Sequence, residues 1–160
     1  PETVYSFSGG VTFKNISLDL LFQGATRSSV WMTGDLGWDN SWGNYFSEHH
    51  ARWTPETAAT ATYPRFLQKS DGAHQNYQLS DFWLRSGRYL RLKNVQLGYS
   101  IPKKALGNLP IENIRLSASA YNLITWDEVK RIDPESDPDR NNGQFYPQQR
   151  IINFGLNVGF

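Results

Sequence analysis

The chain has 160 residues, and its 16 Lys and Arg nearly balance its 15 Asp and Glu, so the formal net charge is only +1 at pH 7. This balance argues against nucleic-acid binding through a general basic field, and the absence of cysteine excludes disulfides and cysteine metal ligands. No segment reaches the roughly 20 apolar residues of a membrane-spanning helix. Nucleophile motifs and phosphate-binding glycine loops are also absent, so we do not expect an enzyme.

The first two predicted strands form a hairpin. Apolar residues alternate with small or polar ones over about 4–13 and again over about 16–27, and Lys14 and Asn15 make a tight turn between them. Strands of about ten residues are long enough to cross a bilayer at a tilt. The second face, which carries Asp19 and Gln23, suits a water-filled lumen. A one-sided sheet on a soluble core is the alternative at this point.

A loop of about 28–81 follows, in which the alternation disappears. Loops of this length are uncommon in compact soluble domains. They are expected on the extracellular side of a transmembrane barrel, where loops are long and the opposite turns are short. The long loop therefore favours a barrel over a soluble sheet.

A third strand is predicted over about 82–101, with Gly87 as a possible irregularity. Val95 and Leu97 point to its apolar face, and continuing the alternation towards the start of the strand puts Arg91 and Lys93 on that face as well. A charge facing lipid at mid-bilayer costs about 2–4 kcal/mol. We therefore expect both side chains above the hydrocarbon, either solvated or in contact with lipopolysaccharide phosphates.

The fourth and fifth strands cover about 113–124 and 148–160, and a second loop of about 125–147 separates them. Arg115 and Tyr121 lie on the polar face, where they could touch a substrate or solvate the interior. The last strand ends on an aromatic residue, as in the assembly signal of outer-membrane barrels; its apolar positions are Phe154, Leu156, Val158 and Phe160. Five strands cannot close a barrel, so the chain is expected to complete a larger one.

Several stretches resemble SusC/RagA-type TonB-dependent transporters of Bacteroidetes outer membranes. They are Tyr89–Lys104 (YLRLKNVQLGYSIPKK), Asn113–Trp126 (NIRLSASAYNLITW), Asp133–Glu135 (DPE), Tyr146–Arg150 (YPQQR), Arg52–Glu56 (RWTPE) and Tyr63–Arg65 (YPR). The resemblance covers essentially the whole chain. It implies an all-β fold in which the chain supplies the C-terminal five antiparallel strands of a 22-stranded transmembrane β-barrel, with long extracellular loops and with the plug domain outside this chain.

The resemblance also implies a function and partners. The protein would import a nutrient, either a glycan or a peptide, across the outer membrane, with its C-terminus on the periplasmic side. A SusD-like surface lipoprotein would act as a lid, and TonB would act through the missing N-terminal part. The remaining partners would be the rest of the barrel, its plug, outer-membrane lipid and lipopolysaccharide. A soluble extracellular β-sandwich carbohydrate-binding module is the alternative.

The loop aromatics are candidates for contact with a substrate or with the lipoprotein, although packing within the folded loop is the favoured explanation for any single one of them. They are Trp38, Trp42, Tyr45, Trp53, Trp126 and Tyr146. The histidines of this region show no zinc-ligand spacing, and we expect them on the surface of the loop; they are His49, His50 and His74.

No cofactor is expected, with bound calcium as a weak exception. Carboxylates alternate in the second loop at Asp133, Glu135, Asp137 and Asp139. The EF-hand pattern fails, because the position that requires glycine is Asn142 and the final position is Gln148. Asp-Pro repeats also form ordinary turns.

Overall fold

The computed structural model of the chain describes residues 1–38, 45–66, 74–107, 109–129, 132–136, 146 and 148–160. The chain divides into two compact units. The sheet unit comprises Pro1–Ser28, Ser86–Pro134 and Pro147–Phe160, and the loop unit comprises Ser29–Arg85 and Glu135–Tyr146. Among the described residues, no helix is long and apolar enough to cross a membrane.

The described residues form β1 (Thr3–Phe13), β2 (Ile16–Thr26), β3 (Ser29–Trp31), β4 (Leu84–Ser86), β5 (Tyr89–Ser100), β6 (Asn113–Asp127) and β7 (Ile151–Gly159). The five long strands make one antiparallel sheet in the order β1-β2-β5-β6-β7, so β1 and β7 are its edges. The prediction of an all-β chain with five antiparallel strands is confirmed. A short helix, α1 (Lys103–Leu106), follows β5.

The region predicted as the first loop contains short elements. Strands β3 and β4 form a two-stranded sheet, and 3₁₀ helices cover Gly34–Leu36, Ser47–Ala51, His74–Tyr77 and Asp81–Trp83. The prediction of one continuous strand from residue 82 is therefore wrong. Gly87 and Arg88 lie between β4 and β5, and the backbone N–H of Gly87 donates to the carbonyl of Ser28 at 2.7 Å.

The five-stranded sheet has one apolar and one polar face, because directly paired residues of neighbouring strands project to the same side. One row of paired residues is Val11, Leu18, Leu97, Ala118 and Phe154, and the adjacent row on the opposite face is Thr12, Ser17, Gly98, Ser117 and Gly155. The apolar row is open to its surroundings: Val11 is 61% exposed and Phe154 is 84% exposed. A face of this kind requires an apolar environment rather than water.

A β-bulge at Lys93 reverses the alternation within β5. On β2, Leu21 pairs with Asn94 and the next residue, Phe22, pairs with Leu92, so Lys93 is an extra residue. The apolar face consequently continues through Leu92 rather than through Lys93 and Arg91. The prediction that Arg91 and Lys93 extend the apolar face is wrong, because it assumed an unbroken period of two.

Candidate functional site

Arg91 forms a buried ion pair on the polar face of the sheet. It is paired between Gln23 and Thr125, and its Nε donates to the Thr125 hydroxyl at 2.9 Å. Its Nη2 donates to Oδ1 of Asp133 at 2.7 Å, and the Arg91 and Asp133 side chains are only 2% and 8% exposed. The pair attaches the chain that follows β6 to the polar face of β5.

This ion pair changes two of the sequence-based predictions. Arg91 is not a lipopolysaccharide contact, because its side chain is buried against Asp133, and Lys93 donates instead to the Gln148 side chain at 3.4 Å. Asp133 already holds a cation, so it is a poor calcium ligand. The described residues contain no group of three or more His, Asp or Glu that could hold a metal ion, whereas Asp137 and Asp139 lie outside the described residues.

Other predicted interior residues lie on the same polar face. Asp19 pairs with Gln96, and Tyr121 pairs with Asn94. Arg115 reaches across the glycine at position 98 and donates to the hydroxyl of Ser17 at 2.8 Å. The face is therefore polar. Its side chains contact one another and also face the space in front of the sheet.

The predicted assembly residues of β7 lie on the apolar face. Phe154 and Leu156 are 84% and 65% exposed, Val158 is half-buried, and Phe160, beyond the end of the strand, is 84% exposed. Trp126 belongs to this face as well. Strand β6 extends to Asp127, so Trp126 lies within the sheet, paired with Leu90, and not in the predicted loop. Its position is typical of an aromatic at a membrane interface.

A buried aromatic cluster around His49 forms part of the loop unit. The backbone N–H of Phe46 donates to Nδ1 of His49 at 3.0 Å, and Nε2 lies 3.4 Å from the carbonyl of Gly37. That carbonyl also accepts a hydrogen bond of 2.6 Å from the Tyr63 hydroxyl. His49 is 2% exposed, which corrects the expectation of a surface histidine: its two ring nitrogens are needed to satisfy buried backbone groups.

An open cleft of about 630 Å³ lies on the loop unit, and its walls include Trp53, Thr62, Tyr63, Arg65, Asn76 and Phe82. Trp53 and Phe82 are 43% and 39% exposed. The cleft brings one predicted contact aromatic, Trp53, together with a cation and an amide. Sequence reasoning had grouped neither Arg65 nor Asn76 with Trp53.

The remaining predicted contact aromatics do not line this cleft. Trp38 is half-buried with its ring 5.2 Å from that of Tyr77, and Tyr45 is 56% exposed with its ring 5.4 Å from that of Phe66. Tyr146 is 80% exposed. Trp42 lies outside the described residues, and the side chain of His74 is not described.

One carboxyl group of the loop unit, that of Glu56, has a lowered pKa. The Thr54 hydroxyl donates a hydrogen bond to Glu56, and with a further backbone hydrogen bond it lowers the pKa of this carboxyl below its usual range. Glu56 follows Trp53 closely in the sequence. It is fully exposed, and its carboxyl is ionised at neutral pH. It does not line the cleft.

The chain is similar along its whole length to two curated proteins of Formosa agariphila. It is 30% identical to TonB-dependent receptor P26 and 26% identical to TonB-dependent receptor P3, and it spans 17% and 16% of their lengths. No protein-family model matches the chain.

Solved structures of a RagAB peptide importer contain the same fold. The open-open and closed-closed states each match with a TM-score of 0.72 over 98% of this chain and 17% of theirs, at 23% and 24% identity. The chain thus has the fold of a part of that importer. The resemblance to TonB-dependent receptors of the SusC/RagA type that the sequence predicted is confirmed.

Proposed function

We propose that this chain forms part of the barrel wall of a TonB-dependent importer in the outer membrane. The observation that carries the proposal is the exposed apolar face of the sheet opposite a polar face with a buried ion pair. Lipid on one side and a water-filled lumen on the other suit this arrangement. The whole-length similarity to TonB-dependent receptors supports the same conclusion.

The finer features of the proposal follow the resemblance. The barrel would have 22 strands, of which this chain supplies the C-terminal five, with the long loops outside the cell and the C-terminus in the periplasm. Phe154, Leu156, Val158 and Phe160 would form the assembly signal. A plug and the TonB contact would belong to the rest of the polypeptide, and the protein would transport without catalysing a reaction.

A SusD-like lipoprotein would close the barrel from outside, and a glycan or a peptide would be the cargo. The similar RagAB structures are described as a peptide importer, which supports an importer with a second component. A soluble β-sandwich module is the competing function, and its apolar strand faces would need a second sheet to cover them.

Cell fractionation with uptake measurements tests the proposal. The natural-length polypeptide that contains this chain should be found in the outer membrane, and it should co-purify with a surface lipoprotein. Deleting it should abolish uptake of its nutrient, as should deleting TonB. A monodisperse soluble protein of about the mass of this chain would contradict the proposal and favour the soluble module.

A further inference from the structure

The cleft of the loop unit combines the features of a ligand site. Two partly exposed rings, Trp53 and Phe82, supply apolar faces, and Thr62, Arg65 and Asn76 supply polar groups beside them. Binding sites for small ligands usually combine aromatic walls with a few placed polar groups in this way. The cleft volume of about 630 Å³ is sufficient for a ligand of several rings.

The walls of the cleft are held by hydrogen bonds within the loop unit. The Trp83 indole donates to the carbonyl of Asn76 at 2.9 Å, and the Asn76 amide donates to the carbonyl of Arg65 at 2.9 Å. Tyr63, a buried residue of the cleft lining, donates from its hydroxyl to the Gly37 carbonyl. Because these contacts fix the backbone beneath Arg65 and Asn76, less ordering is required when a ligand binds.

The charge of the cleft points to an anionic ligand. Arg65 is exposed, and within the described residues no carboxylate lies among those that line the cleft. The Arg85 guanidinium lies over the Phe82 ring, 5.8 Å from its centroid, and donates to the Phe82 carbonyl at 2.6 Å. An exposed arginine at the wall of an open cleft suits a carboxylate, which a guanidinium can bind with two parallel hydrogen bonds.

The backbone of the cleft argues against an extended peptide. The N–H groups of Thr62 and Tyr63 both donate to the carbonyl of Ala51, and the Tyr63 carbonyl accepts from the N–H of Trp53. The Arg65 carbonyl accepts from Asn76. Since these groups are already paired, a peptide cannot add to this segment as a further strand, and recognition falls to the side chains.

We propose that this cleft binds an acidic saccharide, with a sugar ring on Trp53 and its carboxylate on Arg65. The inference deepens the proposed import function and rests on it, because an importer of the outer membrane meets its ligand at the cell surface. Trp53 supplies a flat amphipathic surface, while Arg65 selects the charged sugar over a neutral one. The contact role predicted for Trp53 is thus assigned to a sugar ring.

Calorimetry on the natural-length polypeptide in detergent tests this site. The probes are galacturonic acid trisaccharide, the neutral galactose trisaccharide, and a tripeptide of glutamate. The acidic sugar should bind at least about tenfold more tightly than the neutral sugar and the peptide, because a charge-assisted pair adds affinity of this order. Added salt should narrow the gap between the two sugars.

Variants assign the binding to the cleft. Arg65→Ala should bring the acidic sugar down to the affinity of the neutral one, and Trp53→Ala should weaken both sugars by about tenfold. Arg27→Ala, which removes an exposed arginine of the sheet unit, should change neither.

Several outcomes would overturn the inference. They are equal binding of the two sugars, no binding of either, tighter binding of the peptide, or an Arg65→Ala variant with unchanged affinity. Outer-membrane location and TonB-dependent uptake would remain intact in each of these cases. The failure of the site is therefore distinguishable from the failure of the import function.

Discussion

Arg91 and Asp133 are 42 residues apart in the sequence, and their side chains meet in an ion pair of 2.7 Å that is almost fully buried. Thr125 accepts a further hydrogen bond from the same guanidinium, and the Tyr89 ring lies 5.8 Å from it. The chain that leaves β6 is thus attached to the polar face of the sheet at a defined point.

Breaking this pair should destabilise the protein strongly. Arg91→Met leaves the Asp133 carboxylate buried without its cation, and a loss of about 3–5 kcal/mol is expected for removing one partner of a buried pair. The measurement is the concentration of guanidinium chloride at which half of the natural-length polypeptide, folded in lipid vesicles, has unfolded. Because Arg27 and Glu2 form an exposed pair, Arg27→Ala should cost less than about 1 kcal/mol. Equal effects of the two variants would refute the structural role of the buried pair.

Neither the charge of Lys93 nor the extra residue that it adds to β5 should be needed for assembly. Lys93→Ala removes the exposed 3.4 Å contact with Gln148, and we expect a change of less than about 1 kcal/mol. Deleting Lys93 makes Leu92 and Asn94 consecutive opposite Phe22 and Leu21, so Arg91 should stay on the polar face opposite Gln23 and the barrel should still assemble. For both variants, assembly is measured as the yield of folded barrel, seen on gels as a band whose mobility changes on heating. A deletion variant that fails to assemble would contradict this expectation and show that the bulge itself is required.

Two glycines on the apolar face provide a matched test of packing. A Cβ on Gly24 would lie 2.7 Å from the backbone carbonyl of Tyr89 and 2.5 Å from the Tyr5 ring, whereas a Cβ on Gly9 would meet nothing within 4 Å. Gly24→Ala should therefore destabilise the sheet by about 1–3 kcal/mol. Gly9→Ala should be neutral or stabilising. The unfolding midpoints of the two variants are compared in the same vesicle assay. A Gly24→Ala variant with an unchanged midpoint would contradict the close approach of Tyr5 and Tyr89 to Gly24.

The Tyr63 hydroxyl should stabilise the loop unit. Tyr63→Phe removes a hydrogen bond of 2.6 Å to the buried Gly37 carbonyl and leaves that carbonyl its 3.4 Å contact with His49. We expect a cost of about 1–2 kcal/mol. Tyr45→Phe, at an exposed tyrosine of the same unit, is the control and should be silent. Hydrogen exchange of the loop unit reports both, and an unaltered Tyr63→Phe variant would argue against the buried network.

Sequence reasoning worked where a period of two is physically enforced. In β1, β2, β6 and β7 the apolar face keeps one parity throughout, because lipid-facing positions must stay apolar. In β5 the parity changes between Leu92 and Val95, and this change was the readable signal of the bulge. On β6 two residues, Asn122 and Leu123, fall between paired positions, so parity is preserved there and the irregularity is silent.

The loop unit could not be predicted in this way. Its core forms through contacts between residues distant in sequence, such as Gly37 with Tyr63, and no periodicity marks them. His49 reads as a surface residue because polar neighbours surround it in the sequence, yet its ring nitrogens satisfy backbone groups inside the cluster. The grouping of Arg65 and Asn76 with Trp53 likewise depends on the folded chain.

The most direct test of the central claim is the environment of alternate residues along β7. The 160 residues contain no cysteine, so single cysteines at Asn153, Phe154, Leu156 and Asn157 can carry a fluorophore in the natural-length polypeptide, with any cysteine elsewhere in it replaced by serine, after reconstitution with brominated lipids. Labels at positions 154 and 156 should be quenched by lipid, and labels at 153 and 157 should not. Four labels with equal access to water, or quenching without alternation, would contradict a sheet that separates lipid from a polar lumen.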